Sequence, residues 1–321
     1  MGVNGIELAR RYYSTEVAPG LAGVPHAAAL LGDGSEILGY DDQVSTDHDF
    51  GPRVQIFFPD RDTVDGFFAA RLGFDPGRGV GLADWLLSPT QVLAGLTRGA
   101  VFHDPAGELS RYRSALAWYP DDVWRYALAA GWLKVAQEEP FVGRTGSTGD
   151  DLGSRLVTAR LARELVRLAF LVERRWAPYA KWLGRAFAEL TLAAGVGPLL
   201  AKALTAADWR DREAGIVAAA GIVAAATNDL RLCPPVDPAP RRFHTRDIRV
   251  LDAERFTVAL TGVITDPVLR TLMDRVGRRA GTVARLPGTV DQAVDSTDVQ
   301  TRPVRFRAAA PMLGLTDPEN P

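Results

Sequence analysis

Leu30–Asp49 reads LLGDGSEILGYDDQVSTDHD. An apolar run, Ala27 to Leu31, ends abruptly in Gly32-Asp33-Gly34-Ser35. A short apolar run bounded by turn formers marks a buried strand that stops at a glycine turn. Glycine admits dihedrals closed to other residues, so the amides of such a turn can approach a polyphosphate closely. Eleven residues separate Ser35 from Asp47, which opens Asp47-His48-Asp49-Phe50. On an extended chain alternate residues share a face, so Asp47 and Asp49 point one way and His48 and Phe50 the other. Two like charges so close are costly without a cation, so the pair itself argues for a metal. Mg²⁺ is the hard ion that shares carboxylates with phosphates. The plainer readings are a solvated acidic turn, since Asp41, Asp42 and Asp60 are also nearby, and a helix N-cap for Ser35. The second is compatible with an anion site.

Working outward, Asn4 and Glu7 have the spacing of a capping box that starts a first helix, which Pro19-Gly20 ends. Further strands are expected at Val54 to Phe58, at Val80 to Trp85 and at Ala100 to His103, with Ser88-Pro89 opening a helix before the last. Beyond Pro120 the periodicity is almost wholly helical, at Asp150 to Arg175, Lys181 to Ala194 and Ala206 to Asn228. A proline-rich link, Pro234 to Pro240, precedes helix candidates at Ala253–Thr261 and Asp266–Val276. The expected domains are residues 1–118, a catalytic α/β part; 119–235, a helical bundle on the acceptor side; 236–307, a small mainly helical segment; and 308–321, a flexible tail.

Leu31-Gly32-Asp33-Gly34-Ser35, Gly39 and Asp47-His48-Asp49-Phe50 resemble the signature of the polymerase-β-type nucleotidyltransferase superfamily. More closely, Gly34 to Pro52 resembles an uncharacterised branch of it, domain-of-unknown-function proteins with a nucleotidyltransferase-like amino half. Val101-Phe102-His103-Asp104, Tyr119 to Tyr126, Gln137-Glu138-Glu139 with Gly143-Arg144, Tyr179 with Lys181-Trp182, and Asp291-Gln292 extend that similarity. The resemblance implies an α+β fold: a small mixed-sheet nucleotidyltransferase domain followed by an all-α helical bundle. It implies Mg²⁺, one or two ions, on Asp47 and Asp49, with Gly34 and Ser35 as the phosphate turn. It implies a third carboxylate, Asp84 or else Asp104. It also implies a general base from the helical half, Glu139 with Glu138 as the alternative. Arg144 and Lys181 are assigned to the phosphates of ATP or another NTP; a structural ion pair is the plainer role for Arg144. Trp176, Tyr179 and Trp182 line a cleft or fill the core. The implied reaction moves AMP onto a hydroxyl of a small-molecule acceptor. The alternatives are AMP transfer to a protein or RNA, and a non-catalytic nucleotide binder. A homodimer, as in some aminoglycoside-modifying relatives, would let Glu139 act on its neighbour's site.

Composition narrows the classes further. A chain with 47% hydrophobic and 24% charged residues is that of a globular protein. A net charge of −2 gives no global electrostatic argument for nucleic acid or an anionic membrane. One cysteine, Cys233, rules out an internal disulfide and a multi-cysteine zinc site. No signal peptide is visible, and the most apolar tract, Ile216 to Ala226, is too short to span a bilayer, so the expected compartment is the cytosol.

Overall fold

The computed structural model describes residues 5–41, 51–276 and 285–315. It is a mixed α+β protein, mainly helical, with small antiparallel sheets. Two compact units divide the chain. The first comprises residues 1–119 with Pro178–Trp182 and Val294–Ala310; the second comprises 120–177, 183–293 and 311–321.

In the first unit, helix α1 (Gly5–Tyr12) precedes strand β1 (Ala27–Leu30). Ala28, Ala29 and Leu30 are buried on both faces, as their uninterrupted apolar character requires of a central strand. After the short helix α2 (Ser35–Leu38) comes β2 (Gln55–Phe57), antiparallel to β1 with Ala29 opposite Gln55. Helices α3 (Val64–Leu72), α4 (Leu82–Leu87) and α5 (Thr90–Thr97) lead to β3 (Ala100–His103), antiparallel to the other edge of β1. Helix α6 (Glu108–Ala115) follows.

Two expectations change here. Among the described residues the sheet, in the order β2-β1-β3, pairs only antiparallel strands rather than being mixed. Val80 to Trp85 is not a strand. Asp84 accepts the Gly81 N–H at 3.0 Å, an N-terminal helix contact, and Trp85, Leu86 and Leu87 are buried in succession on α4. A short apolar run cannot by itself separate a buried strand from a buried helix.

The second unit is a bundle. Its helices are α7 (Asp121–Glu138), α8 (Phe141–Gly146), α9 (Asp151–Val172), most of α10 (Ala180–Phe187), α11 (Ala193–Thr205) and α12 (Trp209–Asp229). A two-stranded ladder, β4 (Arg241–Arg242) and β5 (Arg249–Val250), precedes α13 (Glu254–Gly262), α14 (Pro267–Arg275) and α15 (Val290–Ala293). Trp124 and Trp132 of α7 are fully buried, and the Trp124 indole N–H donates to Leu171 O at 2.8 Å, tying α7 to the end of α9. The stretch expected as one helix from Lys181 to Ala194 is two. Between them the Glu173 carboxylate accepts the N–H groups of Thr191 and Leu192, which turns the chain into α11.

The stretch 236–307 is not a separate segment. Residues up to Ala293 belong with the bundle, while α16 (Thr297–Gln300) and α17 (Pro303–Arg307) return to the first unit. Nor is 308–315 an unanchored tail, since Leu313 is buried and Gly314 O accepts from Arg275 at 3.1 Å. Among the described residues no helix is long and apolar enough to cross a membrane.

Candidate functional site

The end of β1 is a pinned backbone turn. The Gln55 side-chain amide takes the place of the next ladder pair: its Oε1 accepts the Leu31 N–H at 2.8 Å and its Nε2 donates to Leu31 O at 2.7 Å. The sheet therefore stops, and the chain turns through Gly32 (φ 101°) and Gly34 (φ 142°), values that only glycine adopts without strain. The Gly32 N–H donates to Gly95 O of α5 at 2.9 Å. Arg53 donates to Asp33 O at 2.9 Å and pairs with Glu36, so the chain just before β2 also holds the turn.

Against this turn lies a cavity of about 450 Å³, formed wholly within the first unit. Gly32, Asp33 and Gly34 form one side, and Ala70 and Arg71 of α3 and Gln91, Val92 and Leu96 of α5 form another. Tyr179, Ala180 and Lys181 join them, with Thr297, Thr301 and Pro303 opposite. Aliphatic side chains (Ala70, Val92, Leu96, Ala180 and Pro303) alternate with polar and charged ones, a mixture suited to a polar small molecule.

Two cations line the cavity. The Arg71 guanidinium lies over the Phe67 ring, 3.6 Å from its centroid, and donates to Phe67 O at 3.2 Å. Burial pulls its pKa down, partly opposed by the charge of Asp33. Lys181 is exposed, with its ammonium 4.7 Å from the centre of the Trp182 ring. Neither cation forms an ion pair among the described residues. Burial also raises the Tyr179 pKa; the Trp182 indole, which donates to Tyr179 Oη at 2.7 Å, acts the other way, and the carboxylates of Glu36 and Asp33 add to the rise.

The structure thus brings Gly34 and Lys181 to one cavity. Ser35 begins α2 beside it, and its hydroxyl makes no hydrogen bond among the described residues. Asp47, His48 and Asp49 lie outside the described residues. Among those described, no three His, Cys, Asp or Glu side chains are grouped so as to hold a metal. Asp84 does not line the cavity: one carboxylate oxygen caps Gly81 and the other accepts from Arg307 at 2.9 Å. Asp104 is also engaged structurally, accepting from the N–H groups of Leu109 and Ser110 and from the Ser110 hydroxyl.

Glu139 and Arg144 belong to the second unit. Glu139 is only 6% exposed, and its carboxylate accepts the N–H groups of Leu251, Asp252 and Ala253 at 2.7, 3.2 and 2.9 Å. Burial pushes its pKa up to about 7 against the pull of those three donors. Such a carboxylate fixes the start of α13, and its burial and three backbone donors keep it from a solvent-borne acceptor hydroxyl. Glu138 pairs with Arg160 at 3.0 Å, and the Arg144 guanidinium lies over the Phe141 ring. Trp182 is buried against Tyr40, so of the aromatic cluster Tyr179 alone lines the cavity.

Sequence reasoning missed Arg71, Gln91, Thr297 and Thr301. Arg71 follows Phe67 by one helical turn, which gives it the ring and the carbonyl it rests on, but nothing in the sequence separates it from the other arginines. The threonines come from a segment almost two hundred residues beyond α5 in the chain.

A family model described as a domain of unknown function, DUF4037, matches residues 85–183. No curated protein and no solved structure matches. The matched segment begins within α4 and ends just after Lys181, so it includes Gln91, Val92, Leu96 and Tyr179–Lys181 of the cavity but not the Gly32–Gly34 turn.

Proposed function

We propose that the protein is a Mg²⁺-dependent nucleotidyltransferase that transfers AMP from ATP to a hydroxyl of a small molecule. The observation that carries this reading is the cavity itself: a glycine turn at the end of a buried strand, faced by two cations, Arg71 and Lys181, that have no ion-pair partner among the described residues. A triphosphate would offer these cations ion-pair partners, and arginine and lysine are the residues that bind phosphates.

In this reading the acceptor oxygen attacks the α-phosphorus, its bond to the pyrophosphate oxygen breaks, and pyrophosphate leaves as the acceptor proton passes to solvent. Arg71 and Lys181 neutralise the charge that develops on the leaving pyrophosphate, and positioning plus electrostatics carry most of such a reaction. The Gly32–Gly34 turn lets the phosphates approach the backbone. Asp47 and Asp49 are the residues that would hold Mg²⁺, which when bound screens the triphosphate and aligns the attacking oxygen. Asp84 and Glu139, engaged in structural contacts away from the cavity, are given no part in it.

The test is incubation with ATP labelled at the α-phosphate, Mg²⁺ and the small-molecule fraction of a host extract. Label should enter a metabolite with release of pyrophosphate, and Asp47→Ala and Asp49→Ala should each abolish it. Labelling that survives both substitutions overturns the assignment. Label confined to a macromolecule replaces the small acceptor with a protein or RNA.

A further inference from the structure

We propose that the C-terminal segment Val294–Ala310 is the retaining wall of the ligand cavity, and that Asp84 and Arg307 are the positioning pair that fixes it there. The proposal deepens the nucleotide reading above and rests on it for the identity of the ligand.

The segment contributes Thr297, Thr301 and Pro303 to the cavity, facing α3 and α5 from far along the chain. Few backbone contacts fasten it. Gln91 donates to Gln300 O at 3.3 Å, and Phe306 is fully buried. An ion pair also ties it: Arg307 Nη2 donates to Asp84 Oδ1 at 2.9 Å. Both side chains are partly shielded, 29% and 20% exposed, so their attraction is less screened than that of a surface pair. The Arg307 stem crosses Gly73, where the missing Cβ and a φ of 75° leave room for it. Asp84 is held in turn by the Gly81 N–H, so the pair joins α17 to the start of α4 rather than to a freely rotating side chain. An ordered wall completes a concave site around a ligand, and loss of its anchor should therefore be felt as weaker binding before it is felt as unfolding.

The experiment compares wild type with Arg307→Gln, Arg307→Lys and Thr301→Trp. It measures the Kd for Mg·ATP by calorimetry and the rate of tryptic cleavage at the Arg305–Phe306 bond. Mg·ATP should slow that cleavage in wild type. Arg307→Gln should weaken binding about tenfold, the worth of one partly buried charge-assisted contact, and speed cleavage. Arg307→Lys, which keeps the charge, should recover most of the affinity. Thr301→Trp, at an exposed position and so compatible with folding, should obstruct the cavity and lower affinity with the cleavage rate of the free protein unchanged. Wild-type affinity in both Arg307→Gln and Thr301→Trp overturns the proposal. If wild type binds no Mg·ATP, the nucleotide reading fails by itself, and tripolyphosphate is the probe in the same comparison. Failure to bind either probe overturns the wall as well.

Discussion

Gly32 and Gly95 meet backbone to backbone: the N–H that leaves β1 donates to a carbonyl near the end of α5 at 2.9 Å. Neither residue has a Cβ to hold the two chains apart, and one added at Gly95 would fall on the Gly32 carbonyl. Gly95→Ala should gain up to about 1 kcal/mol of helix propensity and lose more than that to the clash, for a net destabilisation of about 1–2 kcal/mol. The more telling outcome is functional. The turn can relieve the clash only by moving, so thermal stabilisation by Mg·ATP should vanish in Gly95→Ala while the protein stays folded at 25 °C. An unchanged ligand response would show that the turn is not part of the site.

Lys181 and Arg71 should separate binding from stability. Lys181 is exposed and makes no hydrogen bond among the described residues, so Lys181→Met should leave the melting temperature within experimental error. It should weaken Mg·ATP binding about tenfold, the loss of one phosphate contact. Arg71→Met should do the same at a stability cost of about 1 kcal/mol, because the guanidinium's contact with the Phe67 ring and its hydrogen bond to Phe67 O are lost. Equilibrium binding alongside thermal melts checks both; wild-type affinity in the double variant would remove the two cations from the site.

Glu139 should leave a signature in the pH dependence of stability. Its pKa rises from 4.5 to about 7 on folding, so between those values the folded protein holds a proton that the unfolded chain has lost. The stabilising contribution is therefore complete below about pH 4.5 and is lost as the pH climbs through 7. At most one proton is involved, or about 1.4 kcal/mol per pH unit. Glu139→Gln cannot titrate. The difference in urea unfolding free energy between wild type and variant should shift in favour of the variant as the pH goes from 5 to 8. A difference that stays constant with pH would mean that Glu139 is ionised in both states.

Arg212 is a buried charge with a wholly structural role. It is 1% exposed, pairs with Asp151 at 2.5 Å, and donates to Ser154 Oγ and to the carbonyls of Ala206 and Ala207. Arg212→Met removes a buried guanidinium that ties buried Ser154 to the Ala206 and Ala207 carbonyls and to exposed Asp151, at a cost of about 3 kcal/mol. The melting temperature should fall by about 6–12 °C. Mg·ATP should still stabilise the variant, since Arg212 belongs to the bundle and lines no part of the cavity; loss of that response would argue against a site confined to the first unit.

Much of the local structure was legible in the residues. Ala27–Leu30 is a strand because an apolar run ending in Gly32 and Gly34 has no better way to bury itself and then turn. Asp151–Val172 is a helix because leucines recur at three- and four-residue steps. Val80–Trp85 misled because an apolar run of that length carries no period. Asp84 then drew a metal-ligand role from a strand that does not exist. Glu138 and Glu139 look alike in sequence, yet one pairs with Arg160 near the surface and the other caps α13 from within.

The sequence by itself determined the glycine turn and the division between a strand-bearing first part and a helical remainder. Each of these depends on neighbours within a few residues, where covalent geometry restricts what the chain can do. Only the tertiary structure decided which cations face the turn, that Asp84 serves Arg307, that Glu139 is consumed by backbone amides, and that Val294–Ala310 returns to wall the cavity. Those outcomes rest on pairings between residues tens to hundreds of positions apart. Nothing in either partner's local pattern fixes such a pairing, because it is selected by the burial and charge balance of the packed whole.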